Sequence, residues 1–269
     1  MKANHGFLTF ALGQDYQRMA YAQALTLARL NYQLTVVVDA LSFRELATVA
    51  NVVHLSKKGL APFEWETLAS DYSPYEVTIK TDADVVFPPN VDLRSYFSLV
   101  ERLGLVSGVA CNLDGVPIDC TWYRHKESEL DWPNFYCAVC GFTKAAGSEF
   151  FDTTKHLFMN WWKLKSLVGD LPATTDSVFS LAYRDLYRTN LIPEGLRFIH
   201  SKQGICGVSF NDKWTKTVPN DIDDNGNLFV NGHVLDLPFH YFDKQFMSNN
   251  NLQKLKVCST LPTMRPLAS

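Results

Sequence analysis

Two aspartates set one residue apart, in the run Lys80-Thr81-Asp82-Ala83-Asp84, are the side chains of this sequence best placed to do chemistry. They follow the strand-favouring residues Val77, Thr78 and Ile79 and precede Val85-Val86-Phe87-Pro88-Pro89. Strand periodicity puts Val77, Ile79 and Thr81 on one face and Thr78, Lys80 and Asp82 on the other. The carboxylates therefore emerge where the strand ends, at the sheet edge where open α/β sheets bind ligands. Paired carboxylates there can hold a hard divalent cation and leave positions open for diphosphate oxygens. Such an ion neutralises the charge on a departing nucleoside diphosphate. An Asp-x-Asp triplet also arises by chance in solvated turns. Placement after a buried strand, in the third β-element of an α/β pattern, favours the functional reading.

Two other spacings imitate functional motifs. Cys137-Ala-Val-Cys140 lies within an apolar strand-like run and has no second cysteine pair at zinc spacing, so it reads as core thiols. Asp221-Ile-Asp223-Asp224-Asn225-Gly226 opens like a calcium loop, but Gly232 stands where that loop needs a glutamate. Asn225-Gly226 between short apolar runs reads instead as a hairpin turn.

The elements that must position the aspartates follow from periodicity. Residues 6–12 form a first strand, and a helical stripe begins at Tyr16. Residues 34–40 are a buried strand ending at Asp39, which we count among the donor-binding candidates, and 42–50 read as a helix capped by Ser42. The strand at 76–87 carries the aspartates. A helix and a strand follow near 105–111, then a strand over 135–142 and a helical pattern through about 168. Thr174-Thr175-Asp176 opens another helix, where capping is the simpler role for its polar groups. The fold class expected is α/β, with a mixed, mostly parallel sheet, flanking helices and a C-terminal acceptor-side extension. One domain is expected over 1–250, with a nucleotide-binding half at 1–111 and an acceptor half at 112–250. Residues 251–269 read as a polar arm.

Composition narrows the class further. The chain has 269 residues, 46% of them hydrophobic, enough for a sizeable core, and a formal net charge of -3 that announces no nucleic-acid partner globally. No run is long and apolar enough for a membrane span. Six cysteines without a secretion signal read as reduced thiols of a cytoplasmic protein. Lys155, Met159, Trp162 and Lys163 share an outer helical face that could meet phosphate and bases, although a solvated face is the simpler reading.

The segment KTDADVVFPPN resembles the Asp-x-Asp strand of GT-A nucleotide-sugar glycosyltransferases, particularly glycogenin-like and related phage-encoded ones. FLTFALGQDY resembles that family's first strand and turn, which implies that Thr9, Phe10, Ala11, Leu12 and Tyr16 line the base and ribose site. FYCAVCGFTK resembles the strand under the donor sugar. HYFDK at 240–244 resembles a late element whose histidine completes the metal shell and whose lysine meets the diphosphate, giving His240 and Lys244. His233 competes with His240, because the family's HxxGxxKPW is not reproduced. The resemblance implies metal ligands Asp82, Asp84 and His240, donor contacts from Lys80 and Asp82, and Asp176 as general base or sugar-orienting carboxylate. It implies Mn2+ or Mg2+, a UDP-sugar donor and transfer to an acceptor hydroxyl. Phage-encoded relatives suggest a hydroxymethylated base in DNA as one acceptor, with Arg197, Lys202, Lys213 and Lys216 around Trp214 as further basic positions. The rival readings are a nucleotidyltransferase and a non-catalytic nucleotide or nucleic-acid binding module.

Overall fold

A computed structural model of the chain describes residues 4–57, 59–61, 63–119, 124, 128–200, 220–230, 232–241, 244–247 and 249–260. The strands are β1 His5–Phe10, β2 Leu34–Val38, β3 Asn51–His54, β4 Val77–Thr81, β5 Val85–Val86, β6 Leu105–Cys111, β7 Tyr136–Thr143, β8 Gly195–His200, β9 Asn220–Ile222, β10 Leu228–Val230, β11 His233–Val234 and β12 Phe239–His240. The longer helices are α1 Gln14–Arg29, α2 Leu93–Leu103, α3 Lys144–Asn160, α4 Thr175–Tyr187 and α5 Asn249–Thr260. Among the described residues one sheet has nine strands in the order β3-β2-β1-β4-β7-β6-β8-β12-β5, and β9, β10 and β11 form a separate small sheet.

Most neighbours in the large sheet are parallel; β7 and β5 run against the rest. The reversal of β7 brings its first residues, Tyr136 and Cys137, to the edge where β1, β2, β4 and β8 end. The order also forces a curl. Only residues 82–84 join β4 in the middle to β5 at one end. That stretch reaches on the order of 14 Å when extended, whereas five strand spacings in a flat sheet are roughly 24 Å. The sheet must bend until its far edge returns to the end of β4.

Helices cover both faces. Phe7, Val36, Ile79 and Phe198 pack with α1, α2 and α5 in one core, which also takes Ile222, Leu228 and Val230 of the small sheet. Leu8, Val37, Cys140 and Phe142 pack with α3 and α4 in the other. There Phe179 meets Phe150 and Phe151 edge-on, with centroids 5.3 and 5.6 Å away, the arrangement that aromatic quadrupoles favour.

Buried amides on α1 tie loops to this frame. Gln17 donates from Nε2 to Ala40 O at 2.7 Å, and its Oε1 accepts from Ser42 N and Phe43 N at 2.9 and 3.0 Å. Gln23 donates from Nε2 to Asp82 O and Val85 O at 2.9 and 2.8 Å, gripping the turn between β4 and β5 at both ends. Thr26 Oγ1 accepts from Phe87 N at 3.3 Å.

Several local expectations need correction. The helix expected over 42–50 is a 3-10 turn at Arg44–Thr48, followed by β3. Gln17 takes the amides of Ser42 and Phe43, and β-branched Val52 and Val53 extend the sheet instead. The strand expected over 76–87 breaks after Thr81, and Val85 N donates to Asp82 O at 3.3 Å to close a turn. The helical run through 168 ends at Asn160 and continues as a 3-10 turn at Trp161–Leu164 and a helical turn at Lys165–Val168. Within the stretch read as a polar arm, α5 extends to Thr260 and buries Leu252, Leu255 and Cys258; residues 261–269 lie outside the described residues. Thr174 caps α4 by accepting from Ser177 N, as expected. The hairpin at Asn225-Gly226 forms between β9 and β10, with Gly226 at φ 77. Asp223 accepts from Asn225 N, Asn227 N and Asn227 Nδ2 there, which commits it to the turn. No described helix is long and apolar enough to cross a membrane.

Truncating Phe179 to Ala leaves a cavity among three rings and should cost about 3–5 kcal/mol, read from the urea midpoint; a loss below about 1 kcal/mol would contradict this packing. Gln23→Met keeps the shape of the side chain but strands the carbonyl of Val85. It should cost about 1–3 kcal/mol and raise amide exchange across 82–86 above that of β1; unchanged protection of the turn would refute the clamp.

Candidate active site

The turn between β4 and β5 presents both aspartates to a third ligand-type side chain. β5 pairs antiparallel with β12, with His240 opposite Val85, and Tyr241 N donates to Asp84 O at 3.0 Å. This ladder sets the buried imidazole of His240 across from the turn. His240 Nε2 lies 3.1 Å from Asp84 Oδ1 and 4.0 Å from Asp82 Oδ2, and one ligand atom from each of the three residues falls within a 4.8 Å circle. Two hard oxygens and an imidazole nitrogen suit Mn2+ or Mg2+ and leave positions for other oxygens, so the donor set fits such an ion. His233 stands exposed on β11 and is not part of this cluster.

β12 is itself held by β8, with His240 beside His200 in register. His200 is fully buried, its ring centroid is 4.7 Å from that of His240, and its Nε2 hydrogen-bonds with Tyr136 Oη at 2.8 Å.

Beneath the aspartates lies a buried cation. Lys80 is 1% exposed, and its ammonium donates to Asp82 Oδ1 and to Cys137 O, both at 3.2 Å, and pairs with Glu66 Oε2. Burial opposes the charge on Lys80, but Glu66 and then Asp82 more than offset it and hold the amine well above its usual range. Burial likewise pushes the Glu66 carboxyl upward against the pull of Lys80. Lys80, expected among the donor contacts, is thus buried among acceptors of the protein itself.

Asp176, in the first turn of α4, accepts from Cys137 N at 3.0 Å through Oδ1. Cys137 thus receives Lys80 on its carbonyl and directs its amide at Asp176. Both thiols of the Cys-x-x-Cys run are buried, and burial drives them away from the thiolate, Cys140 to about 12. The four described cysteines are free; Cys120 and Cys206 lie outside the described residues.

The donor-side expectations divide. Thr9 is fully buried and gives its hydroxyl proton to Thr81 O, while Phe10 and Ala11 are also buried. These three belong to the sheet, so their side chains do not line an open site. Ala11 N is likewise used, donating to Val37 O at 2.8 Å. Leu12 is half-buried and Tyr16 is 42% exposed at the start of α1. Between them Gly13 adopts φ 87, a turn unsuited to other residues, and donates to Asp39 Oδ1 at 3.1 Å. Lys244 opens a 3-10 turn, but its side chain lies outside the described residues, as do Lys202, Lys213, Trp214 and Lys216. On α3, Lys155 is paired with Asp71 and Asp152, both at 3.1 Å; Trp162, in the 3-10 turn beyond the helix, is 74% exposed with Lys163 over its ring.

Sequence reasoning missed Gln17, Gln23, Glu66, Tyr136 and His200. The two glutamines carried a signal, as amides inside the apolar stripe of α1. The other three become partners only through tertiary contacts.

No family model matches the chain, and no curated protein resembles it in sequence. Its shape does have counterparts, 274 solved chains in number. One is the crystal structure of the glycosyltransferase GlyE of Streptococcus pneumoniae TIGR4, with a TM-score of 0.50 at 10% sequence identity. The match covers 96% of this chain and 61% of that one, so the chain spans about three-fifths of its length. The likeness is one of fold, and with the sheet order and flanking helices it identifies a mixed, mostly parallel α/β architecture of the GT-A, Rossmann-like kind.

Proposed function

We propose that the chain is a metal-dependent glycosyltransferase that passes a sugar from a nucleoside diphosphate donor, a UDP-sugar, to an acceptor hydroxyl. The observation that carries this reading is the convergence of Asp82, Asp84 and His240 within 4.8 Å at the edge where the parallel strands end. A binding module has no need of that set, and a nucleotidyltransferase would want a glycine-rich basic loop where Leu12-Gly13-Gln14-Asp15 stands.

Asp82, Asp84 and His240 would hold Mn2+ or Mg2+, which supplies charge neutralisation for the leaving diphosphate. Leu12, Tyr16 and Asp39 would form the rim for base and ribose, and Lys244 would meet the diphosphate as a point charge. Asp176, oriented by Cys137 N, would take the proton of the acceptor hydroxyl in an inverting reaction or orient the donor sugar in a retaining one. Residues 1–111 would then serve the nucleotide and 112–250 the sugar and acceptor.

The test is calorimetry of UDP with and without Mn2+, preceded by a thermal-shift screen of nucleotide sugars. Mn2+ should raise UDP affinity at least tenfold, and Asp84→Asn should abolish that gain. Donor hydrolysis should fall on the order of 10³-fold in Asp82→Asn or Asp84→Asn. His240→Ala should weaken the Mn2+-dependent gain, whereas Asp176→Asn should slow turnover roughly 10²- to 10⁴-fold with UDP binding intact. Metal-independent UDP binding together with full turnover in the Asp84 variant would overturn the reading. An acceptor screen of saccharides, peptides and hydroxymethylated duplex DNA separates the acceptor classes; duplex binding that fades steeply between low and physiological salt would mark DNA.

A further inference from the structure

Asp82 has two oxygens with two different neighbours. Oδ1 accepts from the Lys80 ammonium at 3.2 Å, while Oδ2 is the oxygen turned toward His240, 4.0 Å from its Nε2. The ammonium lies among acceptors: it donates to Asp82 and to the Cys137 carbonyl and is ion-paired with Glu66, at a site only 1% exposed. A buried ammonium does not release one of its few acceptors cheaply. Asp82 is further pinned through its own backbone, with its amide donating to Ala138 O at 2.9 Å and its carbonyl accepting from Gln23.

We propose that Lys80 is a positioning and specificity-determining residue that withholds Asp82 Oδ1, so that Asp82 offers the metal site a single oxygen. This rests on the metal-site reading of Asp82, Asp84 and His240 and deepens it by giving Lys80 a part in the choice of ion. Ca2+ collects six to eight oxygens and often takes both from one carboxylate, whereas Mg2+ and Mn2+ keep six ligands in compact octahedra. A carboxylate with one oxygen held by an ammonium limits the oxygen count that the site offers. The site is therefore built for a small octahedral ion and against Ca2+. Lys80 acts through Asp82 and touches neither ion nor donor.

The experiment compares Mn2+ binding, followed by its spin-resonance signal, with Ca2+ competition in the full chain and in Lys80→Met/Glu66→Gln. The double change removes the ammonium without stranding the Glu66 charge. Wild type should bind Mn2+ in preference to Ca2+, and in the variant that preference should fall by roughly tenfold or more, the size expected for an outer partner of a metal ligand. An unchanged preference in a variant with native circular dichroism overturns the proposal. Should the variant fail to fold, crystals of the unaltered chain grown with Mn2+ decide. Asp82 bound through Oδ2 alone, with Lys80 still on Oδ1, supports the proposal; a bidentate Asp82 or a displaced Lys80 overturns it. If the wild type binds no Mn2+, or Asp84→Asn binds it undiminished, the metal-site reading itself fails, which is a different outcome from either.

Discussion

Three residues of chain, Asp82 to Asp84, must carry the polypeptide from a central strand to a strand at the margin of the same sheet. That short reach bends the sheet back on itself and fixes which elements can meet. β5 lands against β12, β12 lies against β8, and the imidazole of His240 arrives opposite the turn through backbone pairing rather than side-chain affinity. Two carboxylates and an imidazole from distant parts of the chain share a site because the ladder around the curl leaves them no other register. A slip of one residue in either ladder would turn His240 to the opposite face.

The same closure gathers negative charge, and Lys80 makes that tolerable. Glu66, Asp82 and Asp176 all act on the interior around Cys137 and Cys140, and the Lys80 ammonium is the buried counter-charge. Breaking such a pair from one side costs about 3–5 kcal/mol because a charge is left without a partner. The strand before the aspartates thus has two tasks: its apolar side chains Val77 and Ile79 build one core, and its lysine on the other face supports the turn that follows.

The general architecture was legible in the sequence because strands and helices repeat with different periods, and runs such as Leu34–Val38 and Val77–Thr81 carry only one of them. The paired aspartates were legible because they stand at a strand's end before two prolines. What sequence could not express was partnership. A lysine two residues before an aspartate looks like a ligand-binding group, yet the fold buries it beneath the turn, where Glu66 pairs with it and Cys137 O accepts from it. Thr9, Phe10 and Ala11 lie at the edge expected for a base site, but their side chains are buried, Ala11 in one core and Phe10 in the other. Where a helix was expected at 42–50 the chain makes a 3-10 turn at Arg44–Thr48 and then enters β3, whose pairing with β2 is a tertiary contact that residue order does not express. Acceptors on the main chain leave no trace in the order of residue types.

Gln17 and Gln23 lie on one helix, and each holds a different loop of the ligand-binding edge, the first after β2 and the second between β4 and β5. The two loops are therefore ordered once, when α1 docks, and the entropy of fixing them is spent in folding. A ligand reaching from one loop to the other meets a pre-set jaw whose halves cannot open independently. Its affinity is then spared the cost of immobilising flexible segments. What such a ligand would meet is α1 with its two captured loops, a unit that no single loop sequence describes.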